Sequence, residues 1–419
     1  MVLHNVVKKK KQDIHIHTLP IGLTIVHRYT KSPIAHCGLL IKAGTRDELP
    51  HEGGLAHFTE HMLFKGTTRH TARYILSRLD DRGGELNAYT SRESTILHAT
   101  CFRQHAREAI ELLFEITFHS TFPDREIRKE AEVICEEIHS YKDSPSDALL
   151  DEFDELITGG HPIGRNILGT VESVSSFQRE HFIRFTTELY HPERIILFFS
   201  GQVKPETTAL WAENATAGYQ PLGRARQRSE APTFHHFNIV RQHHNHQCNA
   251  ALGILTPGVH HPDYPTLALL NHMLGGPGLN NILTLNIREK YGLTYELESF
   301  FNAYSDCGFL GIYFGTDKDS LKKVLKLIHL ELRKLIDMPL TERRLMKAKV
   351  QFMGHYLIQQ EHALNQIINA ARSWELFEKI EDTTHIWEKI SEITSQRIQQ
   401  AAHTYLNPDA LSTLIFESA

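Results

Sequence analysis

Apolar positions along this chain recur with two periods, one of 2 and one of about 3.6 residues, and the switches between them mark out the elements. Gly22–Tyr29 and Ala35–Ala43 are short β-branched or apolar runs punctuated by Gly and Pro, the pattern of strands. From Leu55 to Phe64 the residues Leu55, Phe58, Met62 and Leu63 return at helical spacing, which predicts a buried helix. Ala72–Asp81 predicts another, closed by Gly83 and Gly84, where glycine supplies a left-handed cap. Asn87–His98 carries Thr, Tyr and Ile at strand-like density. His105–Thr117 and Asp124–Lys142 read as longer helices, the second with many charges on one side.

Around Asn214–Pro232 the apolar period lapses into Gly, Pro and polar residues, which marks a linker. The same grammar then restarts. Ala250–Leu255 reads as a strand, Thr266–Leu274 as a helix, Thr294–Phe300 and Leu310–Phe314 as strands, and Lys318–Ile336 and Glu342–Phe377 as helices. Two halves of similar order imply a duplicated unit: two similar α+β domains, each with an antiparallel-rich sheet packed with helices. The expected division is residues 1–217, a linker at 218–232, and residues 233–419. At 419 residues and 48.0 kDa the chain has length enough for more than one core.

Composition removes several function classes. A formal net charge of -5 argues against nucleic-acid binding, and the one dense basic run, Lys8–Lys11, reads as a solvated tail. No apolar stretch approaches the roughly 18 residues that read as a membrane span, and the N-terminus lacks the basic-then-apolar order of a secretory signal. The cysteines, five in number and never spaced as CxxC, fit free thiols in a reducing compartment, so the cytoplasm is expected.

The chemistry concentrates in His57-Phe58-Thr59-Glu60-His61. On a helix, residues i and i+4 share a face, so both imidazoles can bind one ion while Glu60 reaches a water beside it. This is the inverted form of the HExxH arrangement. With 29 histidines in the chain a chance match is not rare, but this one lies in an apolar helical pattern, where idle polar groups are costly to bury. A helix rich in carboxylates follows, and spacing and composition alone leave Glu130, Glu132, Glu136 and Glu137 all open as a third ligand. Two histidines and a carboxylate with an open fourth position describe a catalytic zinc site, whereas a structural site would close with four protein ligands.

The stretches GGLAHFTEHMLFKGT, GGELNAYTSREST, EAEVICEEIHSYKDSP, HPIGRNILGT and LNIREKYGLTYELES, in that order, resemble the pitrilysin-type zinc metallopeptidases, also called peptidase M16. The likeness is greatest to the mitochondrial processing peptidase branch and its bacterial homologues. It implies one Zn2+ per chain held by His57, His61 and Glu137, with Glu60 as the base. It selects Glu137 because that residue falls 137 − 61 = 76 positions after the second histidine. It also implies that Glu130 supports a ligand imidazole and that Asn87 and Ala88 hold an extended substrate. Arg288 and Tyr295 would reach the reacting carbonyl from a later domain. GGPGLNNILTLNIREK departs from the family's usual glycine-rich stretch at Pro277 and Asn280-Asn281, which bears on that loop's flexibility and not on the chemistry.

The expected function is a zinc-dependent endopeptidase cleaving extended, unstructured peptides inside a chamber. The chamber would form when two chains pair, as a homodimer or with a related partner, and no nucleic acid or membrane would take part. A non-catalytic structural or substrate-recruiting subunit is the alternative, although such subunits usually lose the zinc motif. Asp151, Glu152, Asp154 and Glu155 read equally as tolerance for basic substrate residues or as a solvated helix face. His243, His244 and His246 lack helical spacing and a neighbouring carboxylate, and read as strand-end histidines.

Overall fold

A computed structural model describes residues 13–219, 226–244 and 246–418. The Lys8–Lys11 run and part of the linker, 220–225, lie outside the described residues. The first sheet is built from β1 (Ile14–Thr18), β2 (Thr24–Tyr29), β3 (Ile34–Ile41), β4 (Glu85–Thr90), β5 (Thr95–Phe102) and β6 (Ile195–Gly201). Its spatial order is β1-β2-β6-β3-β5-β4. The second contains β7 (Asn238–His243), β8 (Cys248–Pro257), β9 (Thr294–Ala303), β10 (Cys307–Thr316) and β11 (Ser412–Ser418), in the order β7-β11-β8-β10-β9. Adding five to each label of β2-β6-β3-β5-β4 reproduces the second sheet. The sense of pairing agrees as well: β2·β6 and β7·β11 are the parallel pairs, and the other pairs are antiparallel. The α+β architecture with two similar sheets is therefore as the sequence predicts.

Six helices pack against these sheets or against one another to place the site. In the first half they are α1 (Leu55–Leu63), α2 (Asp124–Asp143) and α3 (Pro145–Ile157). Their counterparts in chain order are α4 (Tyr264–Gly275), α5 (Glu342–Gln359) and α6 (Ala363–Phe377). One face of the first sheet and α1 enclose a core containing Leu39, Leu97, Phe58, Met62 and Leu63. The opposite face, with Val26, Leu40, Ile96 and Phe198, is covered by Ile367, Ile368, Ala370 and Ala371 of α6, a helix from the other half. Reciprocally, Leu149, Phe153 and Ile157 of α3 pack on Ala251, Phe309, Leu414 and Phe416 of the second sheet. Each half thus lends a helix to bury its partner's sheet, and neither sheet is covered on both faces by its own half alone.

Two expectations need correction. Glu342–Phe377 is two helices, broken at Gln360–His362, because α5 packs within its own half while α6 crosses to the other sheet. Asn87–His98 is the hairpin of β4 and β5, turning through Ser91–Ser94, where Ser91 N donates to Ser94 O. The tip of that hairpin meets the β9–β10 tip. Arg46, 2% exposed, donates to Glu93 and to both carboxylate oxygens of Asp306, and Ser305 Oγ donates to Glu93. Arg226 and Arg228, at the end of the linker, pair with Glu52 and Asp47.

Candidate metal centre

Helix α1 starts at Gly54, whose φ of 89° and close packing leave no room for a side chain: a Cβ there would lie 2.4 Å from Leu168 O. The buried Glu48 carboxyl accepts from Gly54 N and Ala56 N, giving partners to amides at the start of the helix. Leu55, Phe58, Met62 and Leu63 anchor the helix in the core, which turns His57 and His61 towards α2. Helix α2 is held by Ile127, Ile134 and Ile138. Glu130 and Glu137 lie seven residues apart on it, two turns and nearly in register.

The two elements bring the ligand candidates together. His57 Nε2 lies 3.2 Å from His61 Nε2 and 3.9 Å from Glu137 Oε2. Ligand atoms of all three fall within 4.8 Å of one another, the only such group of His, Cys, Asp and Glu among the described residues. Glu132 and Glu136, left open by the sequence, are exposed on α2. His61 Nδ1 contacts Glu130 Oε1 at 2.9 Å, and Glu130 Oε2 accepts from Lys65 at 2.6 Å. Glu60, 8% exposed, accepts a 2.6 Å hydrogen bond from Thr90 at the end of β4.

This donor set fits a zinc ion. Two lone pairs facing each other at 3.2 Å repel unless a proton or a cation sits between them. Two nitrogen ligands of a tetrahedral zinc ion are themselves about 3.4 Å apart. With Glu130 accepting at Nδ1, the Nε2 of His61 is left as a ligand lone pair. Electrostatics agree. Burial, helped by His61, pushes His57 down to about 3, so it is neutral and able to coordinate. Burial works against charge on His61 too, yet the hydrogen bond to Glu130 and the charges of Glu137 and Glu60 raise its pKa. Burial also raises Glu60, against the Thr90 hydrogen bond. The pocket favours positive charge at the point where the imidazoles meet.

Comparison with known proteins agrees with this geometry. Residues 24–171 match the family described as Insulinase (Peptidase family M16), and residues 176–352 match the one described as Peptidase M16 inactive domain. The "Uncharacterized zinc protease YmxG" of Bacillus subtilis (strain 168) is 31% identical over 91% of this chain and 92% of its own length. The chain belongs to peptidase family M16. An "Uncharacterized zinc protease" of Rickettsia felis is 30% identical over 97% of this chain and 98% of its own. Two crystal structures share the M16 fold. One, described as a peptidase M16 inactive domain from Pseudomonas fluorescens, has a TM-score of 0.89 at 19% identity and covers 97% of this chain and 98% of its own. The other, described as a protease from Helicobacter pylori, has a TM-score of 0.86 at 20% identity and covers 97% and 99%.

The remaining residues expected from the resemblance fall on the two sheet edges and on a π-helical turn. Asn87 and Ala88 lie on β4, the edge of the first sheet, paired on one side only, with His98 and Leu97 of β5. Tyr295, 74% exposed, lies near the start of β9, the corresponding edge of the second sheet, in a groove with Asp143 at the end of α2 and Ser146 at the start of α3. Arg288 ends the π-helical turn, Thr284–Arg288, and is exposed. Among the described residues neither contacts the His57 group. The departing loop is tied down: Asn281 donates to Gly276 O and Gly278 O and accepts from Thr284 N. The acidic run on α3 is a solvated face only in part, since Glu155 is exposed and the others have partners. Asp154 is buried against Arg92 at 2.7 Å, Glu152 pairs with Arg241, and Asp151 accepts from Asn166. Sequence reasoning missed Thr90 and Lys65, which have no motif of their own and are placed by chain neighbours distant in sequence. No helix among the described residues is long and apolar enough to cross a membrane.

Proposed function

We propose that this chain is a zinc-dependent endopeptidase acting on extended, unstructured peptides. The observation that carries this reading is the convergence of His57, His61 and Glu137 beside Glu60, at the foot of a free sheet edge. Zinc at that centre would supply Lewis acidity, polarising a scissile carbonyl and acidifying the attacking water. Glu60 takes the water's proton and delivers it to the leaving amine. A peptide pairs with β4 through main-chain hydrogen bonds, which impose little sequence demand, and the exposed Asn87 amide binds a substrate carbonyl. Glu130 fixes the tautomer of His61, and Lys65 fixes Glu130.

Two chains pair to enclose the chamber, as a homodimer or with a related partner, and Arg288 and Tyr295 of one serve the centre of the other. Tyr295 then donates to the developing oxyanion and Arg288 binds substrate carbonyls. The free thiols suit a cytoplasmic setting. The test is cleavage of an unstructured peptide library by zinc-loaded wild type and Glu60→Gln. Cutting by the first and not the second is expected. Cutting by neither, or equal cutting by both, defeats the proposal. A mixed dimer of Glu60→Gln and Arg288→Ala chains regains about one working site if the pair acts across subunits.

A further inference from the structure

The equivalence of the two sheets extends to the helices that carry the metal centre. α1 follows β3 as α4 follows β8. The run His61-Met62-Leu63 returns in α4 as His272-Met273-Leu274, with Met62, Leu63, Met273 and Leu274 all buried. On that alignment Ala268 stands where His57 does and Asn271 where Glu60 does. α2 and α5 align equally well. Glu137 and His355 each lie 13 positions past the first residue of their helix, 137 − 124 and 355 − 342. Glu130 corresponds to Ala348 and Ile127 to Leu345, all four buried. The second half has therefore lost one histidine and all three carboxylates of the pattern, Glu60, Glu130 and Glu137, but has gained an imidazole at the third-ligand position.

Those residues meet. The His272 and His355 rings lie 5.1 Å apart at 68°, close to the 4.5 Å and 64° of His57 and His61. Both line a cavity of about 620 Å3 together with Asn271, Tyr264, Tyr304 and Arg372. Three polar atoms of the lining are buried without partners, His355 Nδ1, Asn271 Oδ1 and Arg372 Nε. Buried polar atoms are normally paired, so three in one cavity, two of them able to offer a lone pair, point to a missing ligand. Burial and His355 hold His272 down to about 4, leaving it neutral with a lone pair to offer. Arg372, the one permanent cation among these residues, is drawn to the Tyr89 hydroxyl and ring.

We propose that His272, His355 and the Asn271 side-chain oxygen form a second binding site for a divalent transition-metal ion. Imidazole nitrogen with amide oxygen suits zinc, copper or nickel rather than calcium or magnesium. The site has no carboxylate ligand, and Ala348 replaces the supporting Glu130, so it binds zinc about 10–100-fold more weakly than the first centre. With Asn271 in place of Glu60 it has no base, and its role is to hold the cavity between α4 and α5.

The test is zinc stoichiometry of the full-length protein by equilibrium dialysis and elemental analysis over a range of free zinc. Wild type should take up two ions, and His61→Ala one, at the weaker affinity. His272→Ala/His355→Ala should take up one at the tighter affinity and keep its peptide cleavage. The triple variant should bind none. A His61→Ala protein that binds none overturns the proposal, as does a triple variant that still binds one. His272→Gln/His355→Gln, which keeps polar bulk in the cavity, serves if the alanine pair misfolds, and circular dichroism checks the fold of each. A wild type that binds one ion, lost only in the His272/His355 variants, upholds this site and defeats zinc at the first.

Discussion

Thr90, the last residue of edge strand β4, donates a 2.6 Å hydrogen bond to Glu60 Oε2. One side chain thus joins the strand proposed to receive a peptide to the carboxylate proposed to take the water's proton. Thr90→Val removes that donor while keeping the shape, so Glu60 loses its orientation and a contact that holds its pKa down against burial. The expected result is a kcat lower by about tenfold, a modest part of what a general base contributes. KM and zinc content should stay unchanged, and Thr90→Ser should restore most of the rate. Steady-state kinetics with metal analysis check this, and loss of zinc in Thr90→Val would refute the positioning role.

His61 Nδ1 and Glu130 Oε1 lie 2.9 Å apart, and Lys65 holds the other carboxylate oxygen. Glu130→Gln weakens this orientation without removing a ligand. Zinc affinity should fall about 10–100-fold, and excess zinc should recover activity. Glu137→Gln, which alters a proposed ligand itself, should lose more affinity and recover less. Competition against a chelator measures both, and an unchanged affinity in Glu130→Gln would show that the contact does not support the metal.

How far the sequence could be read depends on the range of the interactions. α1 and the HxxEH pattern were legible because both ligand spacing and apolar period are properties of one helix. Glu137 was not separable from Glu130, Glu132 and Glu136 by spacing, because which face of α2 turns inward is decided by Ile127, Ile134 and Ile138 packing in the core. The exchange of α3 and α6 between halves was not legible at all. Each is amphipathic by itself, and nothing in its periodicity says which sheet it covers. For the same reason Asp154 looked solvated: its partner Arg92 is distant in sequence and meets it only because α3 crosses over.

Arg92 makes that crossover costly to break. Its guanidinium lies 2.7 Å from Asp154, donates to Tyr304 at 3.0 Å, and stacks over the rings of Tyr304 and Phe309. Burial raises the Asp154 carboxyl in spite of Arg92, so leaving Asp154 without its partner is expensive. Arg92→Ala should destabilise the fold by about 3–5 kcal/mol, the cost of stranding one member of a buried pair. Arg92→Ala/Asp154→Asn should be less destabilised than Arg92→Ala alone, because the stranded charge is gone. Chemical denaturation of the three proteins decides it, and a loss below about 1 kcal/mol in Arg92→Ala would place the pair among surface bridges.

His27 on β2 gives the first sheet a dependence on pH. The residue is 1% exposed, its Nε2 contacts Val203 O at 3.0 Å, and its ring stacks on Phe199 at 5.0 Å. Burial lowers its pKa from 6.5 to about 4, although the Val203 contact pulls the other way. As pH falls below 6.5 the unfolded chain takes up a proton that the native state refuses until about pH 4. The stability carried by neutral His27 is therefore full above pH 6.5 and is lost as pH falls from 6.5 towards 4. The full span is worth about 3 kcal/mol at 1.36 kcal/mol per unit. His27→Gln should be less stable at pH 7.5 but should lose less on acidification, so its denaturation midpoints converge on those of wild type near about pH 4.5. Other buried histidines act in the same direction in both proteins, and the difference between them isolates His27. Parallel midpoint-versus-pH curves would mean that His27 titrates alike in the folded and unfolded chain.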